Sequence, residues 1–143
     1  MADDPQQILA DAEVLAVVGA SRDPFKPAHT VPAQMQRHGW RIIPVNPHAD
    51  ELFGEKVYRK VADIPHPVDV VVVFRPSRDA AEIVRQAVAA GAPAVWLQLD
   101  IVSAEGRRIA QEAGIKYVED RCLAVERAVG ALSRLGKTGK TAA

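Results

Sequence analysis

Short, uninterrupted apolar runs alternate along this chain with segments of helical periodicity. A strand made of an unbroken apolar run is covered on both faces, which is typical of parallel sheets with helices on either side. The alternation predicts an α/β fold, with a doubly wound, mainly parallel five-stranded sheet and helices on both faces. The predicted strands are Val14–Val18, Arg41–Val45, Val68–Val73, Ala94–Leu97 and Lys116–Val118.

Helices are predicted between the strands, because capping residues mark their ends there. Serine accepts hydrogen bonds from the unpaired amides at a helix start, and glycine adopts the left-handed conformation that often ends a helix. By these signals Ser77 and Ser103 are predicted N-caps, and Gly114 ends the second of these two helices. The predicted helices are Pro5–Ala12, Pro27–His38, Ser77–Ala90, 103–114 and Cys122–Leu135.

Length and composition favour one domain, predicted over residues 1–135 of the 143-residue chain and followed by a disordered basic tail at 136–143. The 18 basic and 18 acidic side chains cancel, so the net charge offers no case for a nucleic-acid partner. The sequence has neither a signal-peptide pattern nor an apolar run that approaches the roughly 18 residues of a membrane span. A single cysteine, Cys122, agrees with a reducing compartment. We therefore expect a cytoplasmic protein without a membrane partner.

The first strand ends in a turn that favours an anionic ligand. Unpaired amide groups and the positive end of a helix dipole point at one spot where a strand, a small-residue turn and a helix follow one another. We therefore predict a phosphate site at this turn, close to Lys26 at the start of the second helix. The residues of the turn are Gly19, Ala20, Ser21 and Arg22.

This turn differs from a dinucleotide-binding fingerprint. Gly19 supplies the first glycine of Gly-x-Gly-x-x-Gly, but Ser21 and Pro24 stand in place of the other two. The second strand ends in Asn46 and Pro47, where an NAD enzyme usually offers an acidic residue to the ribose hydroxyls. The sequence therefore argues against NAD as the ligand.

Ligands of doubly wound sheets lie in the crevice beyond the carboxyl ends of the strands. This rule brings together the residues that follow four of the predicted strands. We expect them to form one polar rim of Gly19, Ala20, Ser21, Asn46, Pro47, Phe74, Arg75, Pro76, Gln98 and Asp100.

A series of short motifs occurs in a fixed order along the chain: Val18-Gly19-Ala20-Ser21, Pro44-Val45-Asn46-Pro47, Gly54 to Tyr58, Ile64-Pro65, Val73-Phe74-Arg75-Pro76, Trp96-Leu97-Gln98 and Asp120-Arg121-Cys122. Taken together, they resemble the motifs of small stand-alone coenzyme A-binding proteins. These proteins are similar to the N-terminal CoA-binding domain of the succinyl-CoA synthetase alpha subunit. The resemblance runs from about Leu9 to Leu132.

The resemblance implies a Rossmann-like domain that binds coenzyme A or an acyl-CoA. By position, the first turn would hold the pyrophosphate, Asn46 and Pro47 would lie beside the nucleotide, and residues 74–76 would line the crevice. The chain departs from the pattern at Asp100, where relatives usually have glycine. The resemblance therefore predicts that the Asp100 carboxylate crowds or repels a ligand at the fourth strand.

Several candidate residues have two interpretations. Ser21 binds a phosphate oxygen through its hydroxyl and amide, or it satisfies the turn. Arg75 holds a phosphate with its planar guanidinium, or it pairs with a surface carboxylate, and Lys26 neutralises a phosphate or is a solvated loop residue. Asn46 bonds a ligand or shapes its turn, and Phe74 covers an adenine face or belongs to the core.

We predict neither a metal site nor a catalytic residue. The histidines lack acidic neighbours at metal-ligand spacing, and the chain shows no Ser-His-Asp order or Walker lysine motif. In the resembling synthetase the catalytic histidine belongs to a separate ligase domain, so we expect binding without catalysis. Two alternatives remain open, which are an NAD(P)-linked or other nucleotide-dependent enzyme and a protein-interaction module whose groove has lost its ligand. The sequence leaves the acyl group, the affinity and the oligomeric state open.

Overall fold

The computed structural model describes residues 3–136 and confirms the α/β architecture. Five parallel strands form one sheet in the order β2-β1-β5-β6-β7, and β3 and β4 form a separate antiparallel hairpin. The strands are β1 Val14–Val18, β2 Arg41–Val45, β3 Glu51–Leu52, β4 Glu55–Lys56, β5 Val70–Val73, β6 Ala94–Leu97 and β7 Lys116–Val118.

The strand order places a topological switch point beside β1. The chain passes from β1 to β2 on one side and then crosses to β5 on the other side of β1. The connections on the two sides of β1 therefore diverge, and a crevice opens at the carboxyl ends of β1 and β5.

Helices cover both faces of the sheet, as predicted. On one face, Leu9, Met35 and Leu123 share a core cluster with the buried indole ring of Trp96. On the other face, Val84 and Ala110 share a cluster with Val71 and Val73 of β5. Because both faces are covered, the strands carry unbroken apolar runs rather than an alternating pattern. The helices are α1 Pro5–Asp11, α2 Pro27–Arg37, α3 Ser77–Ala89, α4 Ala104–Ala113 and α5 Leu123–Val129, with a short 3₁₀ turn at Val61–Asp63.

The structure differs from the sequence prediction at several element ends, by one residue at most of them. β5 begins at Val70 rather than Val68, because the Asp69 side chain accepts hydrogen bonds from the backbone amides of Glu13 and Val14, both at 2.9 Å. Pro76 occupies the N-cap of α3, and the predicted cap Ser77 is instead the first helical residue. The Ser77 hydroxyl accepts a hydrogen bond from the Val102 amide in the loop after β6.

The last helix is shorter than predicted, since α5 ends at Val129 and Ala131 has a positive φ of 51°. After it the chain turns back, and the Arg134 amide donates to the His38 carbonyl oxygen at 2.8 Å. The Arg134 guanidinium pairs with the mostly buried Glu13 carboxylate at 3.0 Å. Residues 137–143, which form most of the predicted tail, lie outside the described residues. No helix within residues 3–136 is long and apolar enough to cross a lipid bilayer.

Tyr117 on β7 makes the stability of the fold sensitive to alkaline pH. Its hydroxyl lies 2.8 Å from Glu119 Oε1 and 3.0 Å from the Ser103 carbonyl oxygen, and burial together with Glu119 raises the pKa of the phenol. Above about pH 10 the unfolded chain loses this proton before the folded chain does, so the free energy of unfolding falls by up to about 1.4 kcal/mol per pH unit. We expect Tyr117→Phe to flatten this decline in denaturant titrations between pH 8 and 11.

Tyr58→Phe is the control for this prediction, because it removes the other tyrosine hydroxyl of the chain. It should leave the alkaline decline as it is in the unmodified protein. An equally steep decline in Tyr117→Phe would show that another group causes it.

Candidate functional site

A large cleft lies at the switch point, beyond the carboxyl ends of β1, β2 and β5. Its volume is ≈ 790 Å³, against ≈ 200 to 240 Å³ for three further clefts among the described residues. Its walls are the turn after β1, the loop after β2 with the segment that follows the hairpin, and α3 as far as Gln86. The cleft therefore lies where the strand order places a ligand.

Gly19 sets the shape of the turn after β1. It has a φ of +90°, and its amide donates to the Val45 carbonyl oxygen at 3.0 Å. A Cβ atom at this position would lie 2.9 Å from the Phe74 carbonyl oxygen and 3.1 Å from Arg75 Cδ. The close approach of β5 therefore requires glycine here.

Ser21 uses its polar groups within the turn. Its amide donates to the Ala28 carbonyl oxygen at 3.1 Å, and its hydroxyl accepts from the Asp23 amide at 3.0 Å. The Ser21 carbonyl oxygen lies 2.7 Å from His29 Nδ1. Among the described residues, the amides of Ala20 and Ala28 have no hydrogen-bond partner, and both residues line the cleft. The donors that the turn offers to an anion are therefore these two amides rather than that of Ser21.

Asn46 connects the turn after β1 to the loop after β2. Its Nδ2 donates to the Ala20 carbonyl oxygen at 2.8 Å, and its Oδ1 accepts from the amides of His48 and Ala49 at 2.6 and 2.8 Å. Of the two interpretations for Asn46, the structure supports the turn-shaping one. Asn46 and Pro47 still line the cleft.

Phe74 and Arg75 form the wall of the cleft on the β5 side. Phe74 is half-buried and packs against the core, and its amide donates to the Val18 carbonyl oxygen at 2.8 Å. Arg75 is half-exposed and lies just before α3, and its guanidinium pairs at 3.0 Å with the carboxylate of Asp79 in the first turn of that helix. Lys26 also lines the cleft and is exposed. An arginine and a lysine therefore belong to the lining of the same cleft.

The structure adds two cations that the sequence analysis did not find, Arg59 and Lys60. The hairpin returns the chain to the sheet, so that Tyr58 pairs with Val45 and the next two residues reach the cleft. The Arg59 guanidinium donates to the Asn46 carbonyl oxygen at 2.9 Å and pairs with Asp50 at 2.8 Å. The basic pair follows Tyr58 directly. Because it does not follow a predicted strand, the expectation that site residues come after the carboxyl ends of strands (the strand-end rule) did not include it.

Three of the predicted site residues do not line the cleft, Arg22, Pro76 and Gln98. Arg22 and Pro76 are exposed beside it. Gln98 is buried, and its Oε1 accepts from the Leu123 amide at 3.0 Å, at the start of α5. Asp100 also lies outside the cleft, with a φ of +69° and its amide bonded to Asp120 Oδ1 at 2.7 Å. A left-handed conformation favours glycine at this position for reasons of the backbone alone.

Over most of its length, the chain is similar to one family of known proteins. A family model described as a CoA binding domain matches residues 13–128. The uncharacterized protein YneT of Bacillus subtilis is 36% identical over 124 residues, which cover 87% of this chain and 92% of that protein. The ADP-forming acetate–CoA ligase II of Archaeoglobus fulgidus is 30% identical over 99 residues, and the match covers 68% of this chain but 15% of the ligase.

Among solved structures, the cell-free protein ID.343 of Thermus thermophilus is similar over most of its length. It superposes with a TM-score of 0.84 at 38% identity, covering 90% of this chain and 99% of that one. The likeness therefore extends over the whole fold as well as the motifs.

Proposed function

The chain belongs to the CoA-binding domain family, and from this premise we propose that its cleft binds coenzyme A or an acyl-CoA without catalysing a reaction. The observation that carries the proposal is the glycine turn at the switch point, which lines the cleft together with lysine and arginine residues. Coenzyme A is an elongated anion with a pyrophosphate, and cations around an open cleft favour such a ligand.

We place the pyrophosphate at the turn after β1. The unpaired amides of Ala20 and Ala28 and the side chain of Lys26 are the donors available there. Arg59 and Lys60 lie beyond the end of β2, on the side where doubly wound folds read the ribose and its substituents. We propose that this pair binds the ribose phosphate of coenzyme A.

The non-catalytic part of the proposal rests on the chemistry of the turn. A serine nucleophile needs a base on its hydroxyl. The Ser21 hydroxyl instead accepts a hydrogen bond from the Asp23 amide, and His29 Nδ1 is 2.7 Å from the Ser21 carbonyl oxygen. The matched ligase carries its activity on a chain of which this one covers 15%, so we do not transfer that activity. We propose a cytoplasmic setting, since a lone cysteine fits a reducing compartment.

Two other functions are weaker. An NAD enzyme would need a ribose-binding carboxylate at the end of β2, and the Asn46 amide there is bonded to Ala20. An interaction groove that has lost its ligand would need a group that repels the ligand, and the candidate carboxylate of Asp100 lies outside the cleft.

Calorimetric titration of the nucleotide-free protein with CoA, with NAD and ATP as parallel ligands, tests the proposal. We expect selective binding of CoA, and we expect Lys26→Ala to weaken it about fivefold, the effect of losing one partly solvated ion pair of roughly 1 kcal/mol. Arg22→Ala is the matched control, because Arg22 is an exposed cation of the same loop that does not line the cleft. No heat of binding at millimolar CoA with a folded protein would refute the proposal. Equal losses in the two variants would refute the position of the phosphate.

A further inference from the structure

The ion pair between Arg75 and Asp79 lies in the wall of the cleft. Arg75 lies two residues before α3 and Asp79 lies in its first turn. Arg75 Nη2 is 3.0 Å from Asp79 Oδ2, and both residues line the cleft. Their side chains are 50% and 39% exposed, so solvent and ligands can reach the pair. A solvent-accessible ion pair of this kind is weak and exchanges its partners readily.

Arg75 is also next to the turn after β1. A Cβ atom built on Gly19 would lie 3.1 Å from Arg75 Cδ, so the stem of the arginine packs on the turn that faces an anionic ligand. The guanidinium begins one bond beyond Cδ. It is thus close to the proposed phosphate position while its hydrogen bond is given to Asp79.

We propose that Asp79 limits the affinity of the cleft for anions by holding Arg75, so that a ligand phosphate must displace the Asp79 carboxylate to reach the guanidinium. Carboxylate and phosphate oxygens bind the same planar fork, and therefore they compete for it. Asp79 acts through Arg75 and is a positioning residue. The inference deepens the proposed function and rests on an anion binding in this cleft.

Glu82 provides a matched comparison on the same wall. It lies one turn beyond Asp79 and lines the cleft, but its carboxylate faces Arg85 at 3.5 Å and Gln86 at 3.4 Å rather than Arg75. If any negative charge on this wall repels the ligand, neutralising either carboxylate should raise the affinity for the ligand. If Asp79 acts through Arg75, only the neutralisation of Asp79 should raise it.

The test measures the dissociation constants of CoA and of inorganic pyrophosphate for Asp79→Asn and Glu82→Gln, each also combined with Arg75→Ala. We expect Asp79→Asn to bind both ligands about three- to tenfold more tightly, as removal of a competing partly exposed ion pair would predict. The gain should vanish with Arg75→Ala, and Glu82→Gln should change affinity less than twofold. Asp79→Glu, which can keep the pair, should stay near the unmodified affinity.

Three results would overturn the inference. They are an unchanged or weaker affinity in Asp79→Asn, a gain that persists without Arg75, and an equal gain in Glu82→Gln. If Asp79 only stabilises α3, Asp79→Asn would lower the melting temperature without changing the affinity for either ligand. Pyrophosphate separates the two proposals, because tighter pyrophosphate binding in Asp79→Asn without any CoA binding supports this inference and refutes the proposed function. Failure of both ligands to bind any variant refutes both.

Discussion

Gly19→Ala is expected to abolish CoA binding and to lower the free energy of unfolding by about 2–4 kcal/mol. A φ of +90° costs a residue with a Cβ roughly 1–2 kcal/mol. The new methyl would also lie 2.9 Å from the carbonyl oxygen of Phe74, which is backbone and cannot rotate away. The turn would have to move away from β5, and the unpaired amides of the proposed phosphate site would move with it. Thermal denaturation and calorimetric titration with CoA measure the two effects.

Gly114→Ala separates the backbone strain from the steric clash. Gly114 ends α4 with a φ of +74°, but a Cβ there would meet no atom within 4 Å. We expect this control to lose only about 1 kcal/mol and to bind CoA as the unmodified protein does. Unmodified affinity in Gly19→Ala would show that the turn after β1 does not contact the ligand.

The central strands could be predicted from the sequence because their surroundings are uniform. The valines of β5 are almost completely buried, since helices cover both faces of the sheet. Burial on both faces favours an apolar residue at every position, and this appears in the sequence as an unbroken apolar run. The turn at Gly19 was predictable for a similar reason. Parallel strands end at one edge of the sheet, so the residues after β1, β2 and β5 had to meet.

The hairpin was not predictable from apolar pattern. β3 and β4 have two residues each, and three of the four are charged. Their pairing depends on the tight turn at Phe53 and Gly54, both with positive φ, and on contacts with β2 that become visible only in the fold. The cations Arg59 and Lys60 were missed along with the hairpin.

The strand-end rule also included Gln98, which the fold uses differently. It follows β6, which is one strand further from the switch point than β5. At that distance the residue lies under the start of α5, where the side chain accepts from the Leu123 amide. Sequence order identifies the edge of the sheet, but the distance of each strand from the switch point decides which residues reach the cleft.

Asn46→Ala is expected to reduce both stability and CoA binding, because one side chain joins two walls of the cleft. The substitution removes three hydrogen bonds, to the Ala20 carbonyl oxygen and from the amides of His48 and Ala49. At about 1 kcal/mol for each bond, with water replacing part of the loss at this half-buried site, we expect about 2 kcal/mol of destabilisation. The melting temperature should fall by roughly 5–10 °C. Loosening of the two loops should weaken CoA binding at least about tenfold, since ordering them again costs free energy on binding.

Asn46→Asp distinguishes the two roles of the side chain, which are to shape the loop after β2 through Oδ1 and to join that loop to the turn after β1 through Nδ2. Its carboxylate can still accept from the two amides, but it places an oxygen against the Ala20 carbonyl oxygen, 2.8 Å from the present donor, and it adds a negative charge to the cleft. The stability of Asn46→Asp should therefore lie between those of the unmodified protein and Asn46→Ala, while CoA binding should weaken at least as much as in Asn46→Ala. The same variant supplies the acidic residue that an NAD enzyme carries at this position. Because the side chain is directed at Ala20, we expect no gain of NAD binding, and such a gain would instead favour a dinucleotide site at the end of β2.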